Sequence, residues 1–127
     1  KNKGILELLQ LISTRPDVYT RFNMADAIKI LPNGDFLYAS NRGHDSISIF
    51  KIDDETGKLA LVTNQSSGGS LPRDFDFDPE GHFLIAANQD SDNIVIFKVN
   101  RETGAIKEVS RVNELSKSIC VRIYTLD

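Results

Sequence analysis

The sequence has no tryptophan, one cysteine and two histidines among its 127 residues. A lone cysteine, Cys120, cannot form an internal disulfide, which is typical of a protein kept in a reducing compartment such as the cytoplasm. The cysteine and histidine spacing fits no zinc site, and no glycine-rich phosphate loop precedes a predicted helix. We therefore expect neither a metal nor a cofactor.

Long apolar runs and an excess of one charge are also missing. No run approaches the roughly 18 apolar residues needed to span a bilayer. The start, "KNKGILELLQLIS", is interrupted by Glu7 and Gln10 and has no small-residue cleavage site, so we do not predict a signal peptide. The net charge of -3 offers no general attraction to nucleic acid. We expect a folded domain with neither a membrane nor a nucleic-acid partner.

What the sequence does contain is an internal repeat. Residues 28–59 and 75–106 align without a gap at an offset of 47, with 14 identities in 32 positions. "PNGDFLYASN" corresponds to "PEGHFLIAAN", and "SISIFKIDDETGKL" corresponds to "NIVIFKVNRETGAI". Such a period predicts a repeat architecture.

Each repeat predicts four short strands, because β-branched and aromatic runs alternate with Gly, Pro and Asn turns. The predicted strands cover 26–31, 36–40, 46–52 and 58–63, then 73–78, 83–87, 93–99 and 105–110. Four antiparallel strands per repeat are typical of a β-propeller blade, and the absence of tryptophan disfavours the WD-repeat class. The predicted fold is all-β: a propeller fragment of two blades with flanking strands.

The period also divides the rest of the chain. Residues 1–25 should hold the outer strand of a preceding blade, over 5–12, and a crossing loop. Residues 26–72 and 73–118 should be the two blades, and 119–127 the inner strand of the next. Closed propellers have roughly four to eight blades, so we expect further blades or self-association to cover the exposed sheet edges.

The two ends of such a blade differ in their loops. The tight glycine turns lie on one face, while the 2–3 loops and the crossings between blades lie on the other. Positions that recur, such as Asn41/Asn88 and Asp45/Asp92, should build the blade through side-chain-to-backbone hydrogen bonds. Positions that differ are free to be site-specific, and three on the varied face stand out: Arg42, His44 and Arg73.

Three stretches resemble a known family: "YASNRGHDSISIFKID", "LPRDFDFDPEGHFLIAANQDSDNIVIFKV" and "ICVRI". They are similar to the C-terminal part of the lactonase-type seven-bladed propellers, which include bacterial 6-phosphogluconolactonases and a fungal carboxymuconate-lactonising enzyme. The tail "SKSICVRIYTLD" departs from the family because it lacks the usual proline before Cys-Val. The resemblance implies hydrolysis of a phosphorylated sugar δ-lactone in the pentose phosphate route, without metal or cofactor.

Lactone hydrolysis needs an activated water, donors for the oxyanion and a counter-charge for phosphate. Arg42 and Arg73 are predicted to anchor the substrate or stabilise the oxyanion, because a guanidinium matches phosphate and carboxylate. His44 is the predicted general base, oriented by Asp45 or Asp74. The residues predicted to bind the substrate through hydrogen bonds are Asn23, Asn88 and Gln89.

Structural roles compete with these assignments. Arg42 could bridge to an acidic neighbour, His44 could be a solvated strand cap, and Arg73 could join adjacent blades. The alternative function is a non-catalytic propeller module that binds protein or carbohydrate, or a related lactonising enzyme, because fold does not fix function. Residues 1–127 alone are predicted to be inactive, because a lactonase site would also use residues of other blades.

Overall fold

The computed structural model describes residues 4–126, which form two antiparallel sheets of four strands each. The strands are β1 (Met24–Ile30), β2 (Phe36–Arg42), β3 (Ser46–Ile52), β4 (Leu59–Ser66), β5 (Pro72–Phe77), β6 (Phe83–Asn88), β7 (Asn93–Val99) and β8 (Ile106–Asn113). Their order is β1-β2-β3-β4 and β5-β6-β7-β8. The predicted two blades are confirmed, with strand ends that differ by a few residues. No helix in residues 4–126 could cross a membrane.

The hydrophobic core lies between the two sheets. The central strands β2 and β3 are buried over most of their length, whereas β4 and β8 expose most of their side chains. Tyr38 packs edge-on against Phe77 at 4.9 Å between ring centroids, which joins β2 to β5. Its hydroxyl donates to the Gly104 carbonyl at 2.6 Å, and burial raises the pKa of Tyr38. The sheets approach each other most closely along β1, β2 and β5, as the inner strands of neighbouring blades do.

Both sheets contain β-bulges at equivalent positions. In the first, Ala25 faces Asn41 and Ile28 faces Ala39, so β1 has one extra residue. In the second, Pro72 faces Asn88 and Asp74 faces Ala87, so β5 has the same extra residue. Asp26 and Arg73, which are 47 residues apart, occupy these bulges. A bulge redirects the side chain it contains and often lies beside a functional site.

The two predicted flanking strands are not formed in the described residues. Segments 5–12 and 119–124 have no ladder of backbone hydrogen bonds, because their partner strands would belong to neighbouring sheets. Gln10 still exchanges side-chain hydrogen bonds with the backbone of Leu59 at 2.9 and 2.7 Å, so the first segment lies along β4. Residues 1–3 and 127, assigned to these segments from the sequence, lie outside the described residues.

Candidate active site

The candidate site lies at one end of the two sheets. Met24 pairs with Arg42, and Pro72 pairs with Asn88, so the starts of β1 and β5 adjoin the ends of β2 and β6. The 2–3 loops of both sheets are at this end. So are the crossings 13–23 and 67–71, whose backbone carbonyls accept hydrogen bonds from Asn41 and Asn88 at the ends of β2 and β6.

Arg42 is held in an ion pair at this end. Its Nη1 donates to Asp26 Oδ2 at 3.2 Å, and the two side chains are 21% and 34% exposed. Its Nε is buried and has no partner among the described residues. The prediction that Arg42 could bridge to an acidic neighbour describes this geometry, and a ligand can reach only the 21% of the Arg42 side chain that is exposed.

Arg73 is exposed and has a different kind of partner. Its Nη1 donates to the Oε1 of Gln89 at 3.1 Å. Among residues 4–126 no carboxylate forms an ion pair with it. Arg73 therefore keeps an uncompensated positive charge at a position where the site is open to solvent.

His44 lies in the loop after β2 with one ring nitrogen occupied. Its Nδ1 is 2.7 Å from the hydroxyl of Ser46, and its ring packs edge-on against Tyr19 at 4.9 Å. Its backbone N–H donates to the Oδ1 of Asn23 at 3.2 Å. Nδ1–H donation to Ser46 would fix the tautomer that presents Nε2 as a base. Ser46 and Tyr19 were not anticipated from the sequence as partners of this histidine.

The predicted orienting carboxylates do not contact His44. Asp45 has a φ of 56°, and its Oδ1 accepts from the Leu71 N–H at 2.9 Å, which anchors the second crossing. Asp92 makes the same contact with the Lys117 N–H at 2.7 Å, so this is a repeated scaffold interaction. Asp74 instead accepts from Arg122 at 2.6 Å. Neither Asp45 nor Asp74 makes the contact with the His44 ring that the orienting role requires.

Asn23 and Asn88 hold the crossings in place. Asn23 Nδ2 donates to Asn41 Oδ1 at 2.9 Å, so its amide joins the first crossing to β2. Asn88 is fully buried and donates to the Ser67 carbonyl and to Asn93 Oδ1, both at 3.0 Å. A substrate cannot reach a side chain so buried, so Asn88 is a structural residue here and not an exposed contact. Gln89, which is half-buried, does reach the open site beside Arg73.

A second set of charges lies along β5, and of these only Asp74 was anticipated as part of the site. Lys29 pairs with Asp76 at 3.0 Å, and Asp76 also accepts from the Ile123 N–H at 3.2 Å. Lys29, Asp76 and Ile123 follow one another at intervals of 47 residues, so the repeat period could have identified them from the sequence. The hydrogen bond and charge of Asp74 raise the pKa of Arg122. Asp74 and Asp76 thus connect the first sheet, β5 and the 119–124 segment.

One surface depression lies elsewhere. It has a volume of about 370 Å³ and is lined by Lys98, Val99, Asn100, Ala105, Ile106 and Lys107. These residues surround the β7–β8 turn, at the opposite end of the sheet from Arg73. It has none of the predicted site residues.

Comparison with known proteins agrees with this architecture. The family model "Lactonase, 7-bladed beta-propeller" matches residues 1–123. A stretch of 76 residues is 42% identical to a 6-phosphogluconolactonase of Bacillus subtilis, covering 60% of this chain and 22% of that protein. The chain thus spans about a fifth of the length of this curated relative.

Two solved structures superpose on most of the chain. A protein from Lactobacillus plantarum matches with a TM-score of 0.83 and 34% identity, covering 87% of this chain and 32% of that one. The periplasmic gluconolactonase of Pseudomonas aeruginosa matches with a TM-score of 0.76 and 32% identity, covering 81% and 29%. The chain belongs to the lactonase family of seven-bladed β-propellers.

Proposed function

We propose that these two blades supply part of the active-site face of a sugar lactonase that hydrolyses a 6-phosphogluconolactone-like δ-lactone. The observation that carries the proposal is the placement of Arg42 and Arg73 at the same end of adjacent sheets, in a chain of the lactonase family. The name of the Bacillus subtilis relative supports the substrate class.

The reaction adds water to the lactone carbonyl and then breaks the ring C–O bond. In our proposal, Nε2 of His44 takes a proton from the attacking water, and the leaving ring oxygen is protonated as the ring opens. Guanidinium N–H groups are suited to stabilise the oxyanion that forms on the carbonyl oxygen. We assign this task to Arg42 through the part of its side chain that is exposed, 21% of it, and the binding of the substrate's anionic group to Arg73.

Pathway, location and assembly follow from the same proposal. A phosphorylated sugar lactone would place the enzyme in the pentose phosphate route and in the cytoplasm, where an unpaired Cys120 is chemically suited. Exposed apolar residues on β1, Ile28 at 64% and Ile30 at 56%, support a further blade or a second copy against this sheet. Fractionation of cells and sedimentation of the purified protein test these two points.

Substitution of the two arginines tests the site. In the intact propeller that contains these blades, Arg73→Ala should lower kcat/KM for 6-phosphogluconolactone by about 100-fold, the scale of losing a hydrogen bond to the substrate's charged group. Arg42→Ala should lower it by at least about tenfold. Arg101→Ala, on the tight-turn end, is the matched control and should leave the rate unchanged. A loss of less than about threefold for both site variants, under ~0.7 kcal/mol, would reject the proposed site.

A further inference from the structure

In each sheet, the residue in the bulge of the inner strand contacts a residue at the end of the neighbouring strand. The two contacts have equivalent positions but a different net charge. Asp26 and Arg73 occupy equivalent bulges, while Arg42 and Gln89 occupy the equivalent ends of β2 and β6. In the first sheet the contact joins Arg42 to Asp26 at 3.2 Å. In the second it joins Arg73 to Gln89 at 3.1 Å. One pair is neutral overall, and the other carries a full positive charge.

Hydrogen bonds to the second crossing hold the backbone of Gln89 in place. Its backbone N–H donates to the Leu71 carbonyl at 3.0 Å, and the next residue, Asp90, donates to Ser70 at 3.2 Å. Since Arg73 requires an acceptor, the amide oxygen of Gln89 must face the guanidinium, and its NH₂ group faces away. Among residues 4–126 that NH₂ group has no hydrogen-bond partner. The pair therefore offers N–H donors from both side chains and no acceptor to an incoming ligand.

A donor-only pair with a net positive charge suits an anionic group of the phosphate or carboxylate type. A glutamate at the same place would accept from Arg73 equally well, but it would neutralise the charge, as Asp26 does for Arg42. The neutral amide thus orients Arg73 without competing with an anion for it. The side chain of Arg73 loses less entropy on binding, because Gln89 already restricts it.

We propose that Gln89 is a specificity-determining residue, which orients Arg73 while leaving it free to select lactones that carry an anionic group. This inference deepens the proposed function and rests on it for the identity of the substrate. Arg73 would bind the ionised phosphate, so the enzyme would prefer a phosphorylated lactone to an unphosphorylated lactone of the same ring size.

The test compares Gln89→Glu with Gln89→Met in the intact propeller. We expect Gln89→Glu to lower kcat/KM for 6-phosphogluconolactone by about tenfold and to change kcat/KM for glucono-δ-lactone by less than about twofold. Gln89→Met removes the hydrogen bond but adds no charge, so it should retain the preference for the phosphorylated lactone. The matched control is Gln65→Glu, which adds the same charge at the same end of the first sheet but on its outer strand.

Binding of inorganic phosphate separates this inference from the proposed activity. Titration followed by NMR should show that Gln89→Glu weakens phosphate binding by about tenfold, whereas Gln65→Glu and the unaltered protein agree within about twofold. If the unaltered protein hydrolyses neither lactone, the proposed function fails, and loss of phosphate binding in Gln89→Glu still supports the role of Gln89. Three results would overturn the role of Gln89. They are an equal loss of kcat/KM for both lactones in Gln89→Glu, equal effects of Gln89→Met and Gln89→Glu, and phosphate binding that Gln89→Glu leaves unchanged.

Discussion

The two sheets have the same bulges, strand order and turns, but they differ in the side chains at the end that holds the 2–3 loops and the crossings. The first sheet places a carboxylate in its inner bulge and an arginine on the next strand, while the second places an arginine in the bulge and an amide beside it. The backbone that presents these side chains is common to both. The comparison shows that a repeat fixes where a side chain is presented, and that two substitutions, Arg73 for Asp26 and Gln89 for Arg42, decide the chemistry.

The crossings differ in a second way. The first crossing supplies side chains: Thr14 Oγ1 donates to Asn41 at 2.7 Å, and Asn23 donates to the same oxygen. The shorter second crossing, "SGGSL", supplies mainly backbone, and the equivalent oxygen of Asn88 has no hydrogen-bond partner within residues 4–126. The two crossings therefore differ in length and in the kind of group they supply, so a ligand site can be built there without altering the sheets.

The largest effect should come from adding a methyl group where the first crossing touches its loop. Gly43 has a φ of 119°, and a Cβ there would lie 2.2 Å from the Phe22 carbonyl oxygen. Gly43→Ala should lower the free energy of unfolding by about 3 kcal/mol, because it combines a strained φ with a backbone clash. Urea unfolding of the purified protein measures this change.

The equivalent residue in the second blade, Asp90, provides the control. It is exposed and has no positive φ, so Asp90→Ala should change stability by less than about 0.5 kcal/mol. If the two substitutions had similar effects, the first crossing would not be fixed against its loop. The positions inferred for Asn23 and His44 would then lose their physical basis.

Much of the fold could be predicted from the sequence because the repeat supplies its own comparison. Strand positions and turns follow from residues that recur, such as Gly34/Gly81 and Phe50/Phe97. The segment 119–124 forms no ladder in the described residues, because strand propensity alone does not supply the partner strand that a ladder requires.

The candidate site was predicted less completely. Arg42, His44, Arg73 and Gln89 lie at the expected end, because alternation and turn lengths determine the face. Their partners are different from those expected, since a contact such as His44–Ser46 depends on rotamers and loop paths. Asn88 was assigned to the substrate because amides often bind hydroxyls, but its burial depends on how the second crossing covers it.

A smaller effect is expected between the sheets, at Tyr38. Its counterpart, Ile85, has no polar group, so the hydroxyl bond to Gly104 exists only once. Tyr38→Phe should cost about 1 kcal/mol in the free energy of unfolding, because the Gly104 carbonyl loses a buried donor. Ile85→Val, the control, removes one partly buried methylene and no hydrogen bond, with a cost of up to about 1 kcal/mol but no change in pH dependence.

The same hydroxyl gives a pH test. Burial raises the pKa of Tyr38 in the folded chain above its unfolded value of about 10. A raised folded pKa means that the folded state binds the proton more tightly, so this contribution is complete below about pH 10 and is lost as the pH rises above it. Tyr38→Phe should therefore reduce the loss of stability between about pH 10 and 12. An identical slope in both proteins would contradict the buried position of the hydroxyl.

The smallest effect tests the charge comparison itself. Asp26→Asn gives Arg42 a neutral amide partner, as Arg73 already has in Gln89. The positive charge of Arg42 would then have no carboxylate to compensate it. The pair is partly exposed, so stability should fall by less than about 1 kcal/mol. Phosphate binding measured by NMR should strengthen, but by only about two- to threefold, since Arg42 remains less exposed than Arg73 and charges near solvent are screened. A loss of stability above about 2 kcal/mol would instead show that the Asp26–Arg42 pair holds the bulge together. The two blades would then differ in scaffold as well as in charge.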